Sequence, residues 1–260
     1  MEVIILPSSK EIGALAADAI EALVRRKPNA VLGLATGSSP LPIYDELARR
    51  HDEEGLSFTQ AHGFALDEYV GLPPGHPESY REVIRREFTN RVDIAPENVH
   101  GPDGAAADVL AACDAYEQAI KDAGGVDLQI LGVGTDGHIG FNEPGSSLAS
   151  RTRIKTLLEQ TRADNARFFD SIDDVPHHVV TQGLGTIMDA RHVVLVATGE
   201  GKAAAVRDLV EGPVAAICAA SVLQFHPHAT ILVDEAAASA LRLADYYRRT
   251  YATKPAWQGL

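Results

Sequence analysis

Short apolar runs alternate along the chain with longer stretches of helical period. Residues 3–6 read as a strand. Ser8 and Glu11 then form the sequence signature of a capping box, ahead of a helix whose apolar stripe is Ile12, Leu15, Ala16, Ala19, Ile20 and Leu23. Residues 30–35 give a second strand that empties into Thr36-Gly37-Ser38-Ser39-Pro40, and Pro42 opens a helix running through Arg50. Strands are predicted again at 63–66, 126–131, 192–197 and 230–233, and helices at 80–88, 105–123, 161–169 and 235–247. Gly124 and Gly125 stop the helix at 105–123, while 181–190 is a glycine-bearing helix entry. Strands alternating with helices, without repeats, low-complexity linkers or a boundary, predict a single α/β domain over 1–260 built on one doubly wound sheet.

Composition narrows the classes. At 45% hydrophobic, 260 residues suffice for a well-buried α/β core. A net charge of −13 argues against a nucleic-acid surface, so any anionic ligand must meet a local basic site. No basic leader precedes an apolar segment at the start, and the longest apolar stretch, 214–223, is too short to span a bilayer. Two cysteines, Cys113 and Cys218, make no disulfide framework and no zinc spacing, and Cys113 reads as a core residue. These features predict a cytoplasmic, non-membrane protein.

The densest chemistry lies at 132–144, GVGTDGHIGFNEP, directly after the strand at 126–131. Asp136, His138 and Glu143 stand there on a glycine-rich turn at a strand's carboxyl end, where open α/β sheets bind ligands. The turn at Gly37, Ser38 and Ser39 leaves backbone N–H groups free at a helix N-terminus, which suits a phosphate and equally suits an ordinary βα turn. Asp67-Glu68 at another strand end can bind a metal, cap a helix or supply a general base. Arg151, Arg153 and Lys155 alternate, so an extended segment points all three to one side, as a solvated edge strand or as an anion site. Lys202 follows Thr198-Gly199-Glu200-Gly201 at a helix start, as a solvated lysine or a second anion contact. His177, His178, His226 and His228 lack carboxylate or cysteine partners at ligand spacing and read as surface or packing residues.

Taken together, ATGSSP at 35–40, LDEYVGLP at 66–73, HPESY at 76–80, GVGTDGHIGFNEP at 132–144 and SSLASRTRIKT at 146–156 resemble the glucosamine-6-phosphate deaminase family. The resemblance spans nearly the whole chain and implies a Rossmann-like three-layer α/β/α sandwich with a mostly parallel sheet. It implies a hydrolase acting on a C–N bond, turning glucosamine 6-phosphate and water into fructose 6-phosphate and ammonia, with no metal or cofactor. By the same resemblance Asp67 is the base that moves a proton from C2 to C1, and His138 assists ring opening, oriented by Asp136 and Glu143. Gly37, Ser38 and Ser39 cradle the phosphate, with Arg167 and Lys202 as cationic contacts. Some members form hexamers activated by N-acetylglucosamine 6-phosphate, and Ser146, Arg153 and Lys155 match that activator site, whereas the C-terminal end gives no further match. Two other readings are a 6-phosphogluconolactonase, which the FNEP and LDEY segments disfavour, and a catalytically silent sugar-phosphate sensor, disfavoured by four intact proton-handling residues.

Overall fold

The computed structural model describes residues 1–255 and 257–260; Ala256, within the C-terminal stretch that gives no activator match, lies outside them. In chain order the first elements are β1 (Glu2–Leu6), α1 (Ser9–Arg26), β2 (Val31–Leu34), α2 (Leu41–Glu54), β3 (His62–Ala65), β4 (Asp67–Tyr69) and α3 (Tyr80–Glu87). There follow β5 (Val99–His100), α4 (Val109–Asp122), β6 (Leu128–Leu131), β7 (Arg153–Thr156), α5 (Glu159–Asn165) and β8 (His178–Thr181). The last are α6 (Leu184–Met188), β9 (His192–Ala197), α7 (Ala203–Glu211), β10 (Ala229–Asp234) and α8 (Ala244–Ala252). Among the described residues no helix is long and apolar enough to cross a membrane.

Seven strands form the main sheet in the order β1-β10-β9-β6-β2-β3-β5, with every pairing parallel. Its strands are apolar on both faces because helices flank it, as parallel sheets require. Ile4, Leu32, Leu34, Leu195, Ile231 and Leu232 are all fully buried. Of the capping box predicted for α1 the N-cap half is made: Ser8 Oγ accepts from the Glu11 amide at 3.3 Å, while the Glu11 carboxylate takes the Ser8 hydroxyl at 2.8 Å in place of the Ser8 amide.

The topology decides where a ligand can sit. The chain leaves β2 toward β3 on one side, and leaves β6 toward β9 on the other. Between the carboxyl ends of these two neighbours the connections diverge and open a crevice. The turn at 36–40 leaves β2 there, and the glycine-rich loop at 132–144 leaves β6.

A single sheet does not account for the whole chain. A second, three-stranded antiparallel sheet, β4-β8-β7, lies outside the parallel one. The reading of 181–190 as a helix entry is corrected, since Thr181 ends strand β8 and the helix starts at Leu184. The expected edge strand after the glycine-rich loop is present as β7, and Arg151 lies before it, bound to Glu117 and Asp189. Two helix boundaries also move. Asp108 caps α4 by accepting from the Ala111 amide, so that helix begins at Val109 and not at 105. Residues 235–240 form turns in which Asp234 accepts from the Ala237 amide, and the last helix begins only at Ala244.

Candidate active site

The loop at 132–144 is wound tightly on itself. The Gly134 amide donates to the His138 carbonyl at 2.8 Å, and the His138 amide donates to Asp136 Oδ1 at 3.1 Å. Gly134 is needed for close approach, because a Cβ there would fall 2.3 Å from the His138 ring. Gly140 has a φ of +53°, and its α-carbon faces Thr181 and Asp67. The segment between α7 and β10 braces the loop from behind, where the Ala220 amide donates to the Gly137 carbonyl and Ala216 accepts from the Gly145 amide.

Asp136, His138 and Glu143 come together as expected. His138 Nδ1 lies 2.7 Å from Asp136 Oδ1 and 3.6 Å from Glu143 Oε2. The imidazole holds the Asp136 carboxyl down at about 2, its hydrogen bond outweighing desolvation. Glu143 is buried at 3% exposure; its Oε1 accepts from Thr161 Oγ1 at 2.7 Å, while Oε2 has no hydrogen-bond partner among the described residues. The ring is therefore oriented by two carboxylates on one edge, leaving Nε2 for a bound molecule. These residues also place one donor atom each within 4.8 Å of one another, the geometry of a weak metal trio. The 2.7 Å approach is an ion-pair distance, whereas two ligands about 2.1 Å from one tetrahedral ion stand about 3.4 Å apart.

Asp67 enters the same space from β4. It is buried at 6% exposure, and burial, with the Glu68 charge next to it, pushes its pKa up to about 8. A Cβ on Gly140 would lie 3.6 Å from its Oδ2, so this carboxylate faces the loop that carries His138. Glu68 does what the bland reading of the pair predicts and caps α3: its carboxylate accepts from the amides of Tyr69, Tyr80 and Arg81 at 2.8, 2.9 and 3.0 Å. One residue of the pair thus serves structure and its neighbour is free for chemistry.

Gly37 and Ser38 are exposed at the crevice, and Ser39 Oγ would be 3.1 Å from a Cβ on Gly132, which places the cradle against the glycine-rich loop. Helix α2 starts after Pro40 with no side-chain cap; Pro42 carries no N–H and the Ile43 amide donates to the Pro40 carbonyl at 2.9 Å, so the amides without a hydrogen-bond partner among the described residues are those of Gly37, Ser38, Ser39 and Leu41. Lys202 is half-buried; desolvation lowers its pKa, against the pull of Asp136 and Asp164 and together with the repulsion of Arg167. Lys202 thus lies within electrostatic reach of Asp136 and Arg167. Arg167 is exposed, its guanidinium 4.7 Å above the Phe168 ring. Its segment is pinned to the site by Thr161 on Glu143 and by Asn165 Nδ2, which donates to the Tyr69 hydroxyl at 3.0 Å. Sequence reasoning missed Thr161 and Asn165, whose roles depend on contacts 18 and 96 residues away.

The residues matched to an activator site divide. Ser146 is buried just past the loop, its Oγ without a hydrogen-bond partner among the described residues. Arg153 and Lys155 share one face of β7, and desolvation lowers the Arg153 pKa with no carboxylate in ion-pair contact. Of the histidines, His226 is buried on the Ala190 carbonyl at 2.8 Å, and His228 stacks on His192 with ring centroids 3.7 Å apart.

A sequence profile described as "Glucosamine-6-phosphate isomerases/6-phosphogluconolactonase" matches residues 8–232. The chain belongs to this family. Within it, a protein of Arthrobacter sp. (strain FB24) named glucosamine-6-phosphate deaminase is 81% identical over 260 residues, 100% of both chains. The protein of that name from Mycolicibacterium smegmatis is 68% identical over 261 residues, again 100% of both. A solved structure described as a monomeric glucosamine-6-phosphate deaminase shares 43% identity and a TM-score of 0.90, covering 92% of this chain and 100% of that one. The 6-phosphogluconolactonase from Trypanosoma brucei, at 21% identity and a TM-score of 0.74 over 92% of this chain and 98% of that one, shares the family's fold.

Proposed function

We propose that residues 1–260 act as one glucosamine-6-phosphate deaminase that converts glucosamine 6-phosphate and water into fructose 6-phosphate and ammonia. The identity to relatives of that name over their whole length supports this reading, and the observation that carries it is Asp67. A buried carboxylate whose pKa is pushed up to about 8, beside the loop bearing His138, suits a general base working near neutral pH.

Gly37, Ser38 and Ser39 receive the phosphate at the amino end of α2, and Arg167 and Lys202 neutralise it. His138, steered by Asp136 and Glu143, moves the proton that opens the sugar ring. Asp67 then takes the proton from C2 and returns it to C1, so the enolamine becomes a C2 imine. Water adds to that carbon, and ammonia leaves. The isomerisation is proton transfer alone, whereas in the hydrolysis a C–O bond to water forms at C2 and the C–N bond breaks, the departing nitrogen taking a proton to leave as ammonia. Ser146, Arg153 and Lys155 form an anion site for an activating sugar phosphate, and a saturation curve unchanged by N-acetylglucosamine 6-phosphate would remove that part. With both cysteines free, we place the enzyme in the reducing cytoplasm.

The test is a pair of assays on the same preparation, ammonia release from glucosamine 6-phosphate and hydrolysis of 6-phosphogluconolactone. Turnover in the first alone supports the deaminase; turnover in the second alone assigns the family's other activity, and none in either leaves a sensor.

A further inference from the structure

Asp67 and His138 act on neighbouring atoms of one sugar in the proposed reaction, yet they come from chain segments 71 residues apart. Among the described residues no hydrogen bond joins 65–67 directly to 136–143. Both segments bond instead to the end of β8. On one side Asp67 lies opposite Thr181 in the antiparallel pairing of β4 with β8, the Gln182 amide donates to the Leu66 carbonyl at 2.8 Å, and Gln182 Nε2 donates to the Ala65 carbonyl at 3.0 Å. On the other side Thr181 Oγ1 accepts from the Phe141 amide at 3.1 Å, and Asn142 Nδ2 donates to the Gln182 carbonyl at 2.9 Å. Thr181 is fully buried, and its hydroxyl would stand 3.0 Å from a Cβ on Gly140.

We propose that Thr181 is a positioning residue, whose hydroxyl sets the Gly140-Phe141 turn against the strand that carries Asp67 and so fixes the spacing between the two proton-handling groups. The proposal rests on the deaminase reading for its kinetic effect, though not for its geometry. β-branching restricts χ1 in a strand, and the Thr181 hydroxyl is held further by donating to the Gln182 carbonyl at 3.2 Å while it accepts from the Phe141 amide. A valine has the same shape but leaves the buried Phe141 amide unpaired, and the turn must move to find another partner. Serine keeps the acceptor. The phosphate cradle and its cations sit on other loops, so a shift of this turn bears on the chemical steps more than on binding.

The experiment compares Thr181→Val and Thr181→Ser with wild type by kcat and KM for ammonia release, and by amide hydrogen exchange at Phe141. Thr181→Val is expected to lose roughly 10- to 100-fold in kcat, the size of effect that a misplacement of about 1 Å produces. Its KM stays within about threefold, because an interaction felt only in the chemical steps leaves ground-state binding alone. Phe141 exchanges faster in Thr181→Val, and Thr181→Ser restores both kcat and protection. If Thr181→Val does not fold, Gly140→Ala, which presses on the same contact from the loop side, is expected to show the same split of kcat from KM. Wild-type kcat in Thr181→Val, a loss confined to KM, unchanged exchange at Phe141, or equal damage from serine and valine would each overturn the proposal. A wild type that releases no ammonia refutes the deaminase reading instead, and exchange at Phe141 in the two variants then decides the positioning role by itself.

Discussion

Asp67, the proposed general base, is a buried group that costs stability. Its pKa rises from an ordinary carboxylate value to about 8 because burial penalises the charge, so the folded state keeps a proton that the unfolded chain gives up. The stability Asp67 contributes is therefore fully present below the unfolded value of 3.8 and is lost as pH climbs toward about 8. Asp67→Asn should abolish ammonia release while melting above wild type, with a margin that widens between those two pH values in thermal scans. Equal melting temperatures across that range would contradict the burial argument. Asp67 was readable in the sequence only through its company: alone, the Asp-Glu pair was equally a helix cap, and Glu68 indeed is one. Which carboxylate does which job depends on the alternation of side chains along a three-residue strand.

At the scale of elements, the site is a glycine-rich loop held between two sheets. Gly134→Ala pushes a methyl into the His138 ring and breaks its contact with Asp136. A loss of up to about 100-fold in kcat is expected, with the fold intact by circular dichroism; undiminished turnover would show that the ring position does not matter. Glu68 links capping to chemistry, since its charge is the second cause of the raised Asp67 pKa. Glu68→Gln should move the acid limb of the pH–rate profile to lower pH and lower the melting temperature as α3 loses a charged cap. A limb that stays in place would leave desolvation as the only cause. The parallel sheet was legible, save for the two-residue edge strand β5, because its other strands are short apolar runs between helical periods. Of the β4-β8-β7 sheet only the edge strand β7 was, because the other two strands, Asp67-Glu68-Tyr69 and His178–Thr181, are part polar and carry no continuous apolar run. Tertiary pairing, not local pattern, makes them strands, and that pairing brings Thr181 to Asp67.

Over the whole molecule, stability is limited from both ends of the pH scale and from opposite ends of the sheet. At the strands' amino ends, burial and the neighbouring His228, His226 and Lys254 charges hold His192 down to about 3, so it folds neutral. That contribution is present above the unfolded value of 6.5 and is lost as pH falls toward about 3. His192→Gln should flatten the acid side of the stability curve while leaving the alkaline side, where Asp67 titrates, unchanged; a parallel loss at every pH would refute this. The two groups thus sit at opposite ends of the parallel sheet: Asp67 just past the carboxyl end of β3, beside the crevice proposed for the ligand, and His192 at the amino end of β9.

The most direct test of Asp67 as the base is the pH dependence of kcat/KM for ammonia release, wild type against a folded Asp67→Asn. The structure predicts an acid limb near about 8 in the wild type and no turnover in the variant. A limb in the ordinary carboxylate range, or a variant that still releases ammonia, would assign the proton transfer to another group.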